Sequence, residues 1–169
     1  MIFLLDTCVL RKLLDHFPKQ GIYFVKFWDK LEVLIGQDIL SVDECYNELK
    51  KHFAPEGQNM QWIEKHKNMF LNPTNAESLI MRTIFQNSKM QESIHLKNIL
   101  SNRPSADAYL VAKAKAIGAT VVTVESFKPN SAQIPNICEL CGVPYIDFDE
   151  FMAQISNMIE WGAYESSNL

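Results

Sequence analysis

The sequence predicts an α/β domain with a mainly parallel sheet, and three observations carry this prediction. Short apolar runs alternate with segments whose apolar residues recur at helical spacing. Ala119–Val124 is the clearest of these runs, and such a continuous stretch is typical of a strand buried on both faces. The third observation is that acidic residues stand where apolar runs give way to polar chain or to a helix.

The predicted elements follow one another in a strand–helix order. Strands are predicted at 2–5, 39–40, 119–124 and 144–147. Helices are predicted at 8–16, 22–35, 42–52, two or three stretches within 60–100, 105–117, 134–141 and 148–160.

Local residues predict where several helices begin and end. Asp6 and Thr7 can cap the first helix. Ser41, with Glu44 three residues later, predicts a capping box for the helix that follows the second strand. Gly118 ends the helix before the last long strand in the usual C-terminal manner.

Length and composition indicate one globular domain. The 169 residues can bury roughly 70% of the unfolded chain's surface, and 47% hydrophobic residues with 21% charged ones are ordinary. We predict a single domain over 1–160, with a helical insertion at about 60–100 and a frayed tail at 161–169. The short apolar start, interrupted by Asp6, and the lack of a ~20-residue apolar stretch predict a cytoplasmic protein without membrane association.

Four acidic residues form the candidate site. They lie at or near strand ends, although they are far apart in the chain: Asp6, Glu48, Asp107 and Glu125. Because the carboxyl ends of parallel strands share one edge, where ligands bind, these residues can converge there. Crowded carboxylates without basic partners repel one another, so such a cluster indicates a bound cation.

Each acid also has a simpler interpretation. Asp6 can serve as a helix cap, and Asp107 can serve as a first-turn acid that favours the helix dipole. Glu125 can be exposed at a strand end. Glu44 and Glu48 share a helix face, and Glu48 is preferred because Glu44 has the competing capping role.

The donor types predict the metal and the reaction. No histidine or cysteine completes the acidic group, which favours Mg²⁺ or Mn²⁺ over zinc. Such ions suit phosphodiester hydrolysis, and the Thr123 hydroxyl could hold a metal-bound water or a phosphate oxygen. No glycine occurs in Asp6–Val9, which excludes a phosphate-binding glycine loop after the first strand.

Cysteines and histidines carry simpler expectations. Without a secretory signal, all four cysteines are predicted to be free thiols, and Cys138 and Cys141 are predicted to be helix-packing residues. The histidines are predicted to lie on the surface: His16, His52, His66 and His95.

The chain also contains four stretches that bear on its family. They are Phe3–Leu10, Ser41–Leu49, Ser105–Ala112 and Gly118–Glu125. Taken together, they resemble the PIN domain of the bacterial and archaeal VapC-like toxin ribonucleases, over about residues 2–150. Within that group the chain resembles a branch that shares Arg103–Asp107 and the segment 134–143.

This resemblance implies a three-layer α/β/α sandwich with four or five mainly parallel strands and an acidic pocket for Mg²⁺ or Mn²⁺. It implies that the metal and catalytic acids, in order, are Asp6, Glu48, Asp107 and Glu125. Thr7 and Thr123 match small hydroxyl residues near the metal. Two departures are Cys8, where asparagine is frequent, and Glu125, where aspartate is usual.

The resemblance further implies a metal-dependent endoribonuclease that acts on RNA as the toxin of a toxin–antitoxin pair. An antitoxin protein would then occlude the acidic pocket. A homodimer is also implied, with Phe27, Trp28 and Trp161 as interface candidates, although core packing explains the first two equally well. Candidate phosphate contacts are Arg11, Lys12, Arg103 and Lys128, each of which can instead be a solvated surface charge.

Two rival functions remain open at this stage. The net charge of −4 and Cys8 favour a PIN-fold protein-binding module with weak or no catalysis. A DNA-directed nuclease of the same fold is the second rival, because nothing in the sequence reads a 2′-hydroxyl.

Overall fold

The computed structural model describes residues 1–19, 24–87 and 106–159. Its strands are β1 (Phe3–Leu5), β2 (Ile39–Val42), β3 (Phe70–Leu71), β4 (Thr120–Val122) and β5 (Tyr145–Ile146). Its helices are α1 (Thr7–His16), α2 (Val25–Leu34), α3 (Asp43–His52), α4 (Gln58–Lys65), α5 (Asn75–Gln86), α6 (Ala106–Ile117), α7 (Ile134–Cys141) and α8 (Phe148–Asn157), with a 3₁₀ turn at Lys67–Met69. None of the helices in these ranges has the length and apolar character needed to cross a membrane.

The strands form one parallel sheet in the order β3-β2-β1-β4-β5. β1 is central, because Leu4 pairs with Leu40 of β2 on one side and with Val121 of β4 on the other. The chain moves from β1 outward to β2 and β3, and then returns to place β4 on the opposite side of β1. This reversal makes the β1–β4 boundary a topological switch point, beside which ligands bind in open α/β sheets.

Helices cover both faces of the sheet. α1 packs against α3, and α2 packs against α8, whereas α6 packs against α5 and α7. Right-handed crossovers place these two groups of helices on opposite faces, because the chain advances across the sheet in opposite directions on the two sides of β1. The predicted three-layer α/β/α sandwich with a mainly parallel sheet is confirmed.

The central strand is buried because both of its faces are covered. Phe3, Leu4 and Leu5 are each at most 1% exposed. Phe3 meets Phe151 of α8 edge to face, with ring centroids 5.4 Å apart. Asp6, which follows β1 at the carboxyl edge of the sheet, is therefore attached to a tightly packed strand.

The segment predicted as a helical insertion at 60–100 also supplies a strand. Phe70–Leu71 is the edge strand β3, and Phe70 pairs with Ser41 of β2. Two residues are too few to show an alternating pattern in the sequence, which is why this strand was missed. Residues 88–100 of the predicted insertion lie outside the described residues.

The predicted capping box at Ser41 and Glu44 is wrong. Ser41 is a fully buried residue of β2, and its hydroxyl donates a 2.8 Å hydrogen bond to the carbonyl oxygen of Leu5. α3 instead begins after Val42, which makes no side-chain capping hydrogen bond. Because Ser41 is buried in the sheet, its hydroxyl needs a hydrogen-bond partner, and the carbonyl oxygen of Leu5 on the neighbouring strand provides one.

A buried ion pair joins α5 to α6. Glu77 of α5 accepts from Lys113 of α6 at 2.5 Å, and both side chains are at most 4% exposed. Glu77 also accepts from the backbone and hydroxyl of Thr74 in a capping box, and Lys113 donates to the carbonyl oxygen of Asn72. These hydrogen bonds satisfy both charges, which makes their burial tolerable.

The surface expectation for His66 is wrong. His66 is only 7% exposed, and its Nε2 lies 2.7 Å from Oε2 of Glu32. Its Nδ1 lies 2.8 Å from the carbonyl oxygen of Trp62. The other two described histidines are exposed, as predicted, and His95 lies outside the described residues.

All four cysteines are free, as predicted. Cys138 and Cys141 both lie on α7, where Cys138 is fully buried and Cys141 partly buried against the core. This confirms the helix-packing interpretation of the C-x-x-C spacing.

Candidate active site

The four predicted acids line one cleft at the carboxyl edge of the sheet. The cleft has a volume of about 340 Å³, and its acidic lining residues are Asp6, Glu48, Asp107 and Glu125. Asp6 follows β1 and Glu125 follows the adjacent β4, so the two flank the switch point. Glu48 reaches the cleft from α3, and Asp107 reaches it from the first turn of α6.

Asp6 is the buried centre of this group. It is 7% exposed, and its side chain makes no capping hydrogen bond to α1, so the simple capping interpretation does not describe it. Burial, together with repulsion from the three other carboxylates, raises the pKa of Asp6 from 3.8 to about 8. The electrostatic influence of Glu48, Asp107 and Glu125 therefore converges on this carboxyl group.

Thr7 and Thr123 hold the carboxylates in place. The Thr7 hydroxyl donates a 2.6 Å hydrogen bond to Oε2 of Glu48. The Thr123 hydroxyl donates to Oδ2 of Asp6 at 3.4 Å and accepts from the backbone N–H of Glu125 at 3.1 Å. Both threonines thus contact the acids directly. The family resemblance implies that they also lie near the metal.

Glu125 bridges the cleft and the following helix. Its Oε2 accepts a 2.8 Å hydrogen bond from the backbone N–H of Ile134, the first residue of α7. The N-terminus of a helix favours a negative charge, because its first N–H groups are without partners inside the helix. The longer glutamate side chain therefore anchors α7 while it lines the cleft.

The structure separates Glu48 from Glu44. Glu48 lines the cleft and adds to the negative potential at Asp6, whereas Glu44 does neither. Glu44 has a buried Oε2 without a hydrogen-bond partner in the described residues, and its charge contributes to the raised pKa of Tyr109. The geometry therefore favours Glu48 as the second acid of the cleft.

The donor set fits a hard divalent cation. All four acids offer carboxylate oxygens, which Mg²⁺ and Mn²⁺ prefer, and a cation would relieve the repulsion that raises the pKa of Asp6. Within the described residues, no group of three or more His, Cys, Asp or Glu side chains has the arrangement of a metal site. The fit therefore rests on the chemistry and the charge of the cleft.

Sequence comparison identifies the family of the chain. A family model described as a domain of unknown function (DUF4411) matches residues 3–158. The chain belongs to this family. No curated protein matches the chain by sequence.

Solved structures share the fold of this DUF4411 protein. FitAcB from Neisseria gonorrhoeae is 19% identical with a TM-score of 0.53, and the match covers 87% of this chain and 98% of that chain. VapBC2 from Rickettsia felis, solved bound to a DNA fragment from its promoter, is 14% identical with a TM-score of 0.56 and the same coverage. FitAB bound to an IR36 DNA fragment is 16% identical with a TM-score of 0.51, covering 87% of this chain and 95% of that chain. At this level of identity the likeness shows a PIN-like fold.

The cleft of the DUF4411 protein has further lining residues besides the four acids and Thr7. They are Cys8, Arg11, Lys51 and His52. Lys51 and His52 are the two that the sequence did not connect with the site, and their positions three and four residues after Glu48 on α3 were the signal that could have found them. Cys8 and His52 thus line the cleft beside the acids, whereas the metal ligands predicted from the sequence are carboxylates only.

The candidate phosphate contacts have different positions. Arg11 lines the acidic cleft, and its Nε is buried without a hydrogen-bond partner among the described residues. Lys12 lies over the ring of Phe148, with its ammonium 4.0 Å from the ring centroid. Lys128 is exposed, and its backbone is held by Asn136 of α7. Arg103 lies outside the described residues.

Proposed function

We propose that this protein is a metal-dependent phosphodiesterase that cuts RNA internally. The observation that carries this proposal is the meeting of four carboxylates in one cleft, where their repulsion and burial raise the pKa of Asp6 to about 8. Crowding four carboxylates around a buried Asp6 is costly, and a divalent cation is the partner that would offset their mutual repulsion. The PIN-like fold places the cluster at the sheet edge where ligands bind.

In this mechanism the cation is Mg²⁺ or Mn²⁺, held by Asp6, Asp107 and either Glu48 or Glu125. When bound, such an ion supplies an activated water and stabilises charge on the leaving oxygen of a phosphodiester. Because only oxygen ligands are involved, the site needs no histidine or cysteine in the coordination sphere.

The residues around the acids have separate tasks. Thr7 orients Glu48 and Thr123 orients Asp6 through their hydroxyl groups, so each carboxylate is held before substrate arrives. Arg11 lines the cleft, and its buried Nε has no hydrogen-bond partner among the described residues. Its planar guanidinium can bind a phosphate group through two parallel hydrogen bonds.

We also propose that the protein is the toxin of a toxin–antitoxin pair. Two of the structures that share its fold, VapBC2 and FitAB, were solved as assemblies bound to DNA. An antitoxin protein with a basic side chain would neutralise the acidic cleft and block it. A cytoplasmic location agrees with an RNA substrate and with this kind of partner.

A homodimer is part of the same proposal. Phe27 and Trp28 are each 4% exposed, so the core-packing alternative is confirmed for them, and they are not available for an interface. Trp161 lies outside the described residues. The molar mass of the purified protein in solution tests the dimer directly, and a monomer at all concentrations would remove this part of the proposal.

The nuclease proposal is tested with labelled RNA and DNA strands of the same sequence. We expect Mn²⁺-dependent cleavage of RNA by the natural protein, and we expect Asp6→Asn to abolish it. Glu44→Gln is the matched control for Glu48→Gln, because both change one glutamate of α3 but only Glu48 lines the cleft.

Each possible outcome selects one function. Cleavage of DNA with no cleavage of RNA would replace the ribonuclease with a DNA-directed nuclease. An unchanged rate in Asp6→Asn would exclude the proposed metal site as the source of activity. Absence of cleavage of either strand would favour the protein-binding module.

A further inference from the structure

Three clefts follow one another along one side of α1, beginning with the acidic cleft. The acidic cleft shares Cys8 and Arg11 with a second cleft of about 260 Å³, and this second cleft shares Asp15 with a third of about 500 Å³. Cys8, Arg11 and Asp15 are spaced so that they lie on one side of the helix. We call the three adjoining clefts the α1 groove, defined by Cys8, Arg11, Lys12, Asp15, Lys19 and Trp62.

Beyond the four acids, the α1 groove is lined mainly by cations. Its lining there contains one carboxylate, Asp15, and five cationic side chains, which are Arg11, Lys12, Lys19, Lys51 and Lys65. Asp15 lies 3.7 Å from Nε2 of His52, and Lys65 pairs with Glu32 at 3.1 Å. The whole chain carries a formal charge of −4, so this segregation is not a consequence of composition. A line of cations beside an acidic metal-type cleft is the electrostatic pattern that follows a phosphate backbone.

The third cleft, which we call the far cleft, contains Lys19. The ammonium of Lys19 lies 4.9 Å from the ring centroid of Trp62 and 5.2 Å from that of Trp28. Among the described residues no carboxylate lies within salt-bridge distance of it. Burial lowers the pKa of Lys19 from 10.5 to about 8, although the Glu32 carboxylate acts in the opposite direction.

The rest of the far cleft has the functional groups that a nucleotide requires. Its floor is apolar, with Leu14, Pro18 and Trp62, and its wall carries side-chain amides that can hydrogen-bond to a base edge, from Gln58, Asn59 and Gln61. From Cys8 to Asp15 the helix rises about 10 Å. The far cleft is therefore separated from the acids by the length of a few nucleotides.

We propose that the α1 groove binds a single nucleic-acid strand, with the scissile phosphodiester at the acids and a distal nucleotide in the cleft beside Lys19. This inference rests on the proposed nuclease function and adds the path of the substrate. Arg11 contacts the backbone near the acids, where its buried Nε is unpartnered among the described residues, and Lys19 contacts the phosphate of the distal nucleotide.

Binding under conditions without cleavage tests the groove. Labelled RNA and DNA strands of about 12 nucleotides are titrated in EDTA, with fluorescence anisotropy as the readout and the salt concentration varied. The variants are Lys19→Gln, Lys19→Arg and Lys115→Gln. Lys115 is an exposed lysine of α6 that lines none of the three clefts, so its variant removes the same charge elsewhere.

We expect Lys19→Gln to weaken binding about fivefold to tenfold at low salt and to reduce the salt slope by about 0.7. Lys19→Arg retains the affinity, and Lys115→Gln changes neither quantity. Tighter binding of RNA or of DNA identifies which strand the groove prefers. Equal effects of Lys19→Gln and Lys115→Gln on the affinity for the strand would overturn the proposal.

The two proposals fail in different ways. Mn²⁺-dependent cleavage that is unaffected by Lys19→Gln, with no Lys19-dependent binding, overturns the groove and leaves the nuclease intact. Lys19-dependent binding of a strand that is never cleaved removes the nuclease and leaves the groove.

Discussion

The hydroxyl of Thr7 donates a 2.6 Å hydrogen bond to Oε2 of Glu48, across 41 residues of sequence. This bond joins the first turn of α1 to α3 at the mouth of the acidic cleft. It orients a carboxylate of the candidate metal site through a neighbouring residue that is itself only 6% exposed. Such supporting hydrogen bonds commonly control how tightly a metal is held.

Replacement of Thr7 by valine tests this supporting role. Thr7→Val keeps the shape of the side chain but removes the donor, so Glu48 loses its orientation. We expect Mn²⁺ affinity to fall about 10–100-fold and stability to fall by about 0.5–1.5 kcal/mol. Calorimetric titration with Mn²⁺ measures the first quantity, and urea unfolding measures the second. Thr7→Ser restores the donor, and a serine variant as weak as the valine one would contradict this role.

The raised pKa of Asp6 makes stability depend on pH when no metal is present. The folded protein holds the Asp6 proton up to about pH 8, whereas the unfolded chain releases it near pH 3.8. Because the folded state binds more protons between these values, its contribution to stability falls as the pH rises through that window. Asp6→Asn removes the ionisable group, so the variant does not lose this stability as the pH rises.

In EDTA at pH 8 we expect Asp6→Asn to be more stable than the natural protein by at least about 1 kcal/mol, or roughly 2–4 °C in Tm. The difference shrinks at pH 5, where Asp6 is protonated in the folded protein, and also when Mn²⁺ is added at pH 8. Thermal unfolding followed by circular dichroism measures all three. A stability difference between the two proteins that is independent of pH would contradict the raised pKa of Asp6.

The buried pair of Glu77 and Lys113 gives a second, opposite pH dependence. Burial opposes ionisation of Glu77, but hydrogen bonds from Lys113 and Thr74 lower its pKa from 4.5 to about 2. The pair therefore stabilises the fold above pH 4.5, and this contribution is lost as the pH falls toward 2. Removing one partner leaves the other charge buried without compensation.

We expect Glu77→Gln and Lys113→Met each to cost about 3–5 kcal/mol in the free energy of unfolding at pH 7. The double variant Glu77→Gln with Lys113→Met costs less than the sum, because no charge remains buried. Urea unfolding of the four proteins forms the double-mutant cycle. Additive losses would show that the two side chains act independently.

Two glycines with positive φ differ in their surroundings. Gly36 has φ +81°, and a Cβ there would lie 2.3 Å from the side-chain nitrogen of Asn68. Gly118 has φ +68° with nothing within 4 Å of such a Cβ. We expect Gly118→Ala to cost about 1 kcal/mol for the backbone alone, and Gly36→Ala to cost more because Asn68 must also move. Equal losses in chemical unfolding would mean that Asn68 moves freely.

Much of the fold followed from local patterns. The apolar runs at 2–5 and 119–124 predicted β1 and β4, because a strand covered on both faces has no polar side to show. Gly118 predicted the end of α6, since only a residue that tolerates positive φ fits there without strain. β3 escaped prediction because two residues show no period, and Ser41 was misjudged because its hydroxyl partner lies on another strand.

The candidate site was predictable for a related reason. Parallel strands bring their carboxyl ends to one edge, so Asp6 and Glu125 could be placed together from the sequence once the sheet was expected. Glu48 could be preferred over Glu44 but not separated from it, because both lie on one helix face. The separation came from their surroundings, since only Glu48 meets Thr7 and the cleft.

By itself the sequence determined the α/β class, the parallel strands and the four acids, because these depend on patterns of neighbouring residues. Only the tertiary structure decided the partners: Thr7 for Glu48, Thr123 for Asp6, Lys113 for Glu77, and the α1 groove that leads from the acids to Lys19. Each of these contacts joins residues that are distant in the chain or on different elements. Their geometry depends on packing, which no local pattern records.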